Sequence, residues 1–221
     1  MGLALATFIL PAVSGLAFLG PFAVASKKKL YSEAFLLGFT TFFVILHHLC
    51  LTPGLSLIFC LMGDKLLEYF ATYGIILSVY CTLVQMTSFS AEKRHNISTS
   101  GGLLTAVRVF QTTEGYGIYV APLTIGLLML VLSWGGEMWH TKRLYPDKQK
   151  WIKLILPGFM LLFVSLLLKF ALQSWSVPIS QTLHIITMAT SVAFLIKVAD
   201  DGEGIDTKPK CCSVTTACCL C

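Results

Sequence analysis

Phe42-Phe43-Val44-Ile45-Leu46-His47-His48-Leu49-Cys50 is a run apolar enough for hydrocarbon, yet it carries two adjacent histidines. A soluble core hides a neutral histidine cheaply, whereas an ionisable group inside a membrane is costly and marks a functional site by default. The composition decides between these settings, because 56% of the 221 residues are hydrophobic and only 12% are charged. Soluble domains carry about 25% charged residues. The chain is therefore predicted to be an integral membrane protein.

Seven apolar segments follow one another along the chain, and a spanning helix needs about 20 such residues. The predicted fold class is an all-α membrane protein with seven transmembrane helices. The segments cover residues 3–25, 33–51, 66–88, 98–112, 117–134, 152–172 and 179–196. The fourth is weak, because Gly101, Gly102 and Arg108 interrupt it, and the alternative is to merge it with the fifth. Residues 1–199 form the predicted membrane domain, and 200–221 form a cytosolic cysteine-rich tail.

Basic residues gather in alternate loops, and such residues favour the cytosolic ends of membrane helices. With seven spans, the first, third and fifth loops and the tail all lie on one side; a merged fourth and fifth span would separate them. The sequence therefore predicts an outside amino terminus and a cytosolic carboxyl terminus. The sequon Asn96-Ile97-Ser98 then lies in the cytosol and should carry no glycan. The net charge of +5 is dispersed between apolar runs, which argues against a nucleic-acid partner.

This topology collects ionisable groups from separate helices in the outer half of the membrane. They are His47, His48, Glu68, Arg108, Lys169 and His184. Ser180, His184, Thr187 and Ser191 recur at helical spacing and form a polar stripe along the seventh helix. Lipid-facing stripes are disfavoured, so this stripe and Arg108 are predicted to face the bundle interior or a wet cavity.

Two interpretations of these groups stay open. In one, His48 and His184 bind zinc together with Glu68 or Ser180, since imidazole and carboxylate suit that metal. In the other, the same groups are hydrogen-bonded side chains that hold helices together. His47 points about 100° away from His48 and is interpreted as a packing residue. Lys169 is interpreted as a side chain that extends to the lipid headgroups.

The tail is a second candidate site, because five cysteines crowd the last eleven residues behind Lys208-Pro209-Lys210. They are Cys211, Cys212, Cys218, Cys219 and Cys221. Juxtamembrane cysteines favour palmitoylation, with prenylation of Cys218 or a soft metal site as alternatives. The other three cysteines, Cys50, Cys60 and Cys81, lie in or beside apolar runs, and no disulfide framework is predicted.

Several blocks resemble the myomaker family and occur in the order found there. They are Phe42-Phe43-Val44, Leu46-His47-His48, Cys50, Pro53-Gly54-Leu55-Ser56, Leu67-Glu68-Tyr69-Phe70, Tyr73-Gly74, Gly115-Tyr116-Gly117-Ile118-Tyr119, Pro122, Leu144-Tyr145-Pro146-Asp147-Lys148 and the cysteine-rich terminus. The resemblance implies a seven-helix plasma-membrane protein needed for myoblast fusion. It also implies a superfamily shared with alkaline ceramidases and adiponectin-type receptors.

In that superfamily a zinc is held by one histidine of helix two and two of helix seven, with a serine and an aspartate nearby. His48 and His184 match two of the ligands, but Ser180 stands where the third histidine would be. Val44 occupies the serine position, and the aspartate position falls near Ala71, one turn after Glu68. A catalytic zinc wants three protein ligands and an open position. Enzymatic activity is therefore left open, with the incomplete ligand set arguing against it.

The resulting hypothesis is a multipass plasma-membrane protein, passing through the Golgi, that promotes cell–cell fusion by organising or acting on outer-leaflet lipid. Its expected partners are membrane lipid, a second copy of the chain and a second fusion protein. The rival hypothesis is a zinc-dependent lipid hydrolase of the alkaline ceramidase type. A ligand-sensing receptor ranks last, because the short outer loops leave little surface for a protein hormone.

Overall fold

A computed structural model describes residues 9–52, 60, 62–111, 115–143, 145–171 and 177–199. The described residues form seven helices and no strand, which confirms the prediction of an all-α fold. The helices are α1 Ile9–Lys27, α2 Tyr31–Cys50, α3 Asp64–Gln85, α4 Ala91–Gln111, α5 Tyr116–Thr141, α6 Lys148–Phe170 and α7 Val177–Ile196. α1 includes a 3₁₀ turn at Gly15–Phe18, and α6 a π-helical turn at Trp151–Ile155.

Within the described residues, six helices are long and apolar enough to cross a membrane, and α4 is the exception. Large apolar side chains are exposed on the outer faces of several helices, including Phe35, Leu128 and Phe163. A soluble protein rarely exposes so much apolar surface, whereas lipid covers it in a membrane. The chain is thus a multipass membrane protein.

α3 is the most buried of the six candidate spans, since 72% of its 18-residue apolar stretch is inside the protein. It packs against α2, α4, α5 and α7. Its side chains Ile75, Val79 and Leu83 enter a core completed from α1, α2 and α7. α6 lies at the periphery, packed chiefly on α7. α3 therefore sets the positions of the helices around it.

α4 begins seven residues before residue 98, its predicted start, so the mostly polar residues from Ala91 to Ile97 are also helical. The prediction was wrong because Ala91, Glu92, Lys93 and Arg94 are good helix formers whatever their polarity. The Arg94 backbone N–H donates to the Ser90 carbonyl at 3.0 Å, as in an ordinary helical turn. The fourth helix is therefore longer and more polar than its apolar part indicates.

Three tyrosines of α3 hold α4 in place through its main chain. The hydroxyl of Tyr69 donates to the Ala106 carbonyl at 3.3 Å, that of Tyr73 to the Gly102 carbonyl at 3.4 Å, and that of Tyr80 to the Ile97 carbonyl at 3.1 Å. A Cβ at Gly101 would lie 2.3 Å from the Tyr80 ring, so only glycine allows this approach. These bonds supplement the small apolar face of α4.

The helices alternate in direction, which gives the bundle two ends. The disulfide end holds the last turn of α2 and the first turn of α3, and Cys50 there is bonded to Cys60 with 5.0 Å between their Cα atoms. The lysine end holds Lys27 and Lys28, whose Nζ donates to the Ala199 carbonyl. The disulfide contradicts the sequence-based expectation that these cysteines are unpaired. That expectation rested on the apolar surroundings of Cys50 and Cys60.

Candidate functional site

A cavity of about 100 Å³ lies among α2, α3, α5, α6 and α7 toward the disulfide end. Its polar lining brings together most of the ionisable groups that the sequence places in this half of the bundle. The polar and aromatic residues are His47, His48, Glu68, Thr72, Tyr119, Lys169, Gln181 and His184. Val44, Ala71, Ile75 and Ile185 supply the apolar wall. The sequence-based juxtaposition of His48, Glu68 and His184 is thus reproduced in one cavity.

The position of each of these residues along its helix places its side chain at the cavity. His47 and His48 occupy the last turn of α2, and Glu68 lies in the second turn of α3, which runs in the opposite direction. His184 lies two turns into α7, beside Gln181 one turn earlier. Because residues three and four apart share a helix face, Gln181, His184 and Ile185 face the cavity together.

The tautomer of His184 follows from its hydrogen bonds. Its Nδ1 lies 2.9 Å from the Ser165 carbonyl oxygen and 2.8 Å from the Ser165 hydroxyl. A carbonyl only accepts, so Nδ1 carries the ring proton and donates to it. The Nε2 atom then holds a lone pair, and it is buried with no hydrogen-bond partner in the described part of the chain. His184 therefore offers an unused acceptor or ligand atom.

His47 also lines the cavity, and its interpretation as a packing residue is wrong in that respect. Its ring centroid lies 5.1 Å from that of His48, and its Nδ1 is buried without a partner within the described residues. His47 and His48 are adjacent in the last turn of α2, so both rings reach the cavity although their side chains point about 100° apart. Two adjacent imidazoles thus contribute to the site.

The donor chemistry of the cavity suits zinc, since imidazole nitrogens and a carboxylate are among its usual ligands. However, the described ranges contain no group of three or more His, Cys, Asp and Glu side chains close enough to hold a metal ion. His48 and His184 thus lack a convergent third ligand in this conformation. We derive no chemical step through a metal from this arrangement.

The polar stripe of α7 turns mainly toward α6. The Ser180 hydroxyl donates to the Leu168 carbonyl at 2.5 Å, and Ser180 does not line the cavity. The Ser191 hydroxyl donates to the Gly158 carbonyl at 2.7 Å, and that of Thr187 donates to the Leu183 carbonyl of its own helix at 2.7 Å. The hydroxyls of the stripe therefore join helices or satisfy their own backbone, and His184, which also bonds α6 through Nδ1, is the member of the stripe that lines the cavity.

Arg108 lies apart from the histidines. It lines a larger, mostly apolar cavity of about 340 Å³ between α4 and α5, where its Nη1 donates to Gln111 at 3.3 Å. Lys169 lines the histidine cavity, which corrects its interpretation as a side chain directed to the headgroups. The five tail cysteines, from Cys211 to Cys221, lie outside the described residues.

Sequence reasoning missed Tyr119 and Gln181. Tyr119 is buried, and its ring centroid lies 6.4 Å from that of His184. It belongs to the block Gly115-Tyr116-Gly117-Ile118-Tyr119, so the family resemblance was the available signal. Gln181 precedes His184 by three positions, so helical spacing places both side chains on one face of α7 and could have predicted Gln181 as a cavity residue.

Comparison with known proteins decides the relationship. The chain is 34% identical over 221 residues to the protein myomaker of Homo sapiens, covering all of both chains. It belongs to the myomaker family. The myomaker of Danio rerio is 32% identical over 219 residues, 99% of each chain. Residues 3–177 match the family described as a protein of unknown function, DUF3522.

Part of the chain is also similar to longer proteins. Transmembrane protein 8B of Bos taurus is 25% identical over 168 residues, which are 76% of this chain and 35% of that protein. The resemblance to myomaker that the sequence blocks carry is thus confirmed over the full length.

Proposed function

We propose that this member of the myomaker family is a plasma-membrane protein that promotes cell–cell fusion, including that of myoblasts, by acting on or organising outer-leaflet lipid. The observation that carries the proposal is the 34% identity to human myomaker over the whole of both chains. The alignment runs from end to end of both chains. The fusion role is the one implied by the family resemblance.

The proposed topology has seven spans, an outside amino terminus and a cytosolic carboxyl terminus. α4 has 21 residues, and at 1.5 Å per residue it is about 31 Å long, which matches the hydrocarbon core. Its direct bonds to the three tyrosines of α3 compensate for its low apolar content. The Cys50–Cys60 bond supports an outside disulfide end, because disulfides persist in oxidising compartments.

Two cavities support the lipid part of the proposal. The histidine cavity, at about 100 Å³, is smaller than ordinary ligand pockets of roughly 300–1,000 Å³ and suits a small polar group. The α4–α5 cavity is larger and apolar, and Arg108 lies toward its disulfide end. A guanidinium binds phosphate well, so this cavity suits an acyl chain below a phosphate headgroup.

The tail and the partners complete the proposal. Acylation of the tail cysteines would draw residues 200–221 onto the inner leaflet. A second copy of the chain and a second fusion protein remain the proposed protein partners, with transit through the Golgi to the plasma membrane.

The test is expression in fibroblasts that are mixed with myoblasts, scored for shared cytoplasm. We expect fibroblasts carrying the chain to fuse into myotubes and untransfected fibroblasts to stay separate. Surface expression of the chain without cytoplasmic mixing would contradict the proposal.

The second candidate function is a zinc-dependent lipid hydrolase, which the buried, unpartnered Nε2 of His184 favours. Its test compares His184→Ala with Ser180→Ala, measuring zinc in the purified protein, lipid turnover and cell mixing. Joint loss of zinc and turnover in His184→Ala would support the hydrolase. Fusion that persists in a metal-free variant would exclude a metal-dependent role.

A further inference from the structure

A separate cavity of about 320 Å³ opens among α2, α3 and α4 toward the lysine end. One part of its lining is apolar and includes Phe35, Leu77 and Leu103. The other part is polar and includes Glu33 and His95. It shares no residue with the histidine cavity, and its volume falls in the range of ordinary ligand pockets.

Glu33 is the unusual member of this lining. It lies in the first turn of α2 and is only 6% exposed. Its Oε1 accepts a hydrogen bond of 2.5 Å from the Gln85 amide of α3. A carboxylate has about four lone-pair sites, so this bond leaves room for further donors. Burying a carboxylate in a membrane domain is expensive unless donors or cations surround it.

A second polar group in the same lining lacks a strong hydrogen bond. The Ser98 hydroxyl of α4 is buried and has no hydrogen-bond partner among the residues the structure describes. It lies beside the buried Cys81 thiol, which is a weak partner. Because its oxygen is fully buried, Ser98 is not open to an occupant, and Glu33 remains the group that calls for a further donor.

The depth of the cavity fits a lipid. Glu33 is the third residue of α2, at the lysine end of the bundle, whereas Leu103 is eight residues further along α4 than His95. At 1.5 Å per residue the lining therefore extends about 12 Å toward the bilayer centre. Glu33 and His95 lie at the outer end of this path, whereas Leu77 and Leu103 lie farther in. A molecule with a polar head and an apolar chain matches that order.

We propose that this cavity binds a phospholipid with a primary-amine headgroup, of the phosphatidylethanolamine class, from the leaflet at the lysine end. The ammonium donates to Glu33, the phosphate lies toward His95, and an acyl chain lies along Phe35, Leu77 and Leu103. The proposal is independent of the fusion role, because it rests on the opposite end of the bundle.

The charge pattern selects this headgroup. A buried carboxylate repels a headgroup with net negative charge, which the exposed lysines at this end would otherwise attract. A choline headgroup carries the same positive charge but has no N–H to donate. A charge-assisted hydrogen bond contributes more than a neutral one, roughly 1.5–3 kcal/mol, so we expect at least about tenfold preference for the amine.

The experiment uses the full chain in nanodiscs of equimolar dioleoyl phosphatidylethanolamine and dioleoyl phosphatidylcholine. After mild detergent extraction, the retained lipids are quantified by mass spectrometry. We expect about tenfold enrichment of phosphatidylethanolamine, falling stepwise when its N-methyl and N,N-dimethyl forms replace it. Equal retention of the two lipids, or preferential retention of added phosphatidylserine, would overturn the proposal.

Variants assign the preference to the cavity. Glu33→Gln keeps the size of the side chain and should lower the enrichment to the bulk ratio, whereas Glu92→Gln, an exposed carboxylate on α4 outside the cavity, should leave it unchanged. Thr99→Phe narrows the cavity and keeps the carboxylate, so it tests the proposal even where Glu33→Gln fails to fold. Unchanged enrichment in a folded Glu33→Gln or in Thr99→Phe would refute the assignment.

Discussion

At Gly101, the Tyr80 ring of α3 packs directly against the backbone of α4. A Cβ there would lie 2.3 Å from the Tyr80 ring, and Tyr80 is buried with its hydroxyl bonded to the Ile97 carbonyl. Gly101→Ala therefore forces the ring to abandon that bond or the helices to separate, which costs about 1–3 kcal/mol. We expect a lower midpoint of thermal unfolding in detergent.

Gly136→Ala is the matched control, because a Cβ at Gly136 meets nothing within 4 Å and the residue lies inside α5. Alanine there should raise stability by up to about 1 kcal/mol through helix propensity alone. Equal midpoints for the two variants would show that Tyr80 does not pack against Gly101 as described.

Ser191 tests the contact between α6 and α7. Its hydroxyl is fully buried and donates to the Gly158 carbonyl across the interface. Ser191→Ala should destabilise the protein by about 1 kcal/mol, since interhelical hydrogen bonds in membranes contribute on that order. The control is Thr190→Ala, whose hydroxyl bonds the Ile186 carbonyl of its own helix. A larger loss in Thr190→Ala would contradict the assigned contact.

At the scale of residues, some of the site was predictable. His48, Glu68 and His184 could be brought together because alternating helices fix depth and helical spacing fixes the face. The place of Lys169 could not, since a long flexible side chain reaches either the headgroups or the interior from the same position. The hydrogen bonds from the three tyrosines to α4 could not be predicted either, because their acceptors are main-chain carbonyls, which every residue has.

At the scale of elements, the Cys50–Cys60 bond joins the end of α2 to the segment leading into α3. Impermeant maleimide on intact cells should label neither thiol before treatment with an impermeant phosphine and both afterwards. Cys50→Ser should leave Cys60 open to labelling without reduction.

Two results would contradict this picture of the disulfide end. Labelling of both thiols in untreated cells would show that Cys50 and Cys60 are not bonded to each other. Labelling that requires permeabilised cells would place this end in the cytosol and reverse the proposed orientation.

The elements themselves were largely predictable, because apolar runs of sufficient length have few alternatives to helices in a membrane. α4 shows where that argument stops. Hydropathy located only its apolar part, while the polar first turns depended on helix propensity and on packing against α3. The disulfide was not predicted because a cysteine in an apolar run is equally well explained as an ordinary buried side chain.

At the scale of the whole molecule, the proposed topology places Asn96 on the cytosolic side of α4. Asn96 lies within the helix and lines the α4–α5 cavity, so it is also a poor acceptor for a bulky sugar. We expect no change in electrophoretic mobility after glycosidase treatment. A glycosidase-sensitive shift that disappears in Asn96→Gln would overturn the topology.

The three tyrosine bonds carry an evolutionary consequence. Their acceptors on α4 are main-chain carbonyls, which every amino acid provides. Substitutions on the remaining surface of α4 can therefore accumulate without detaching it from α3, provided that Gly101 stays small. This helix is where relatives should diverge most freely while keeping one architecture, and where a lineage can acquire a new surface at little structural risk.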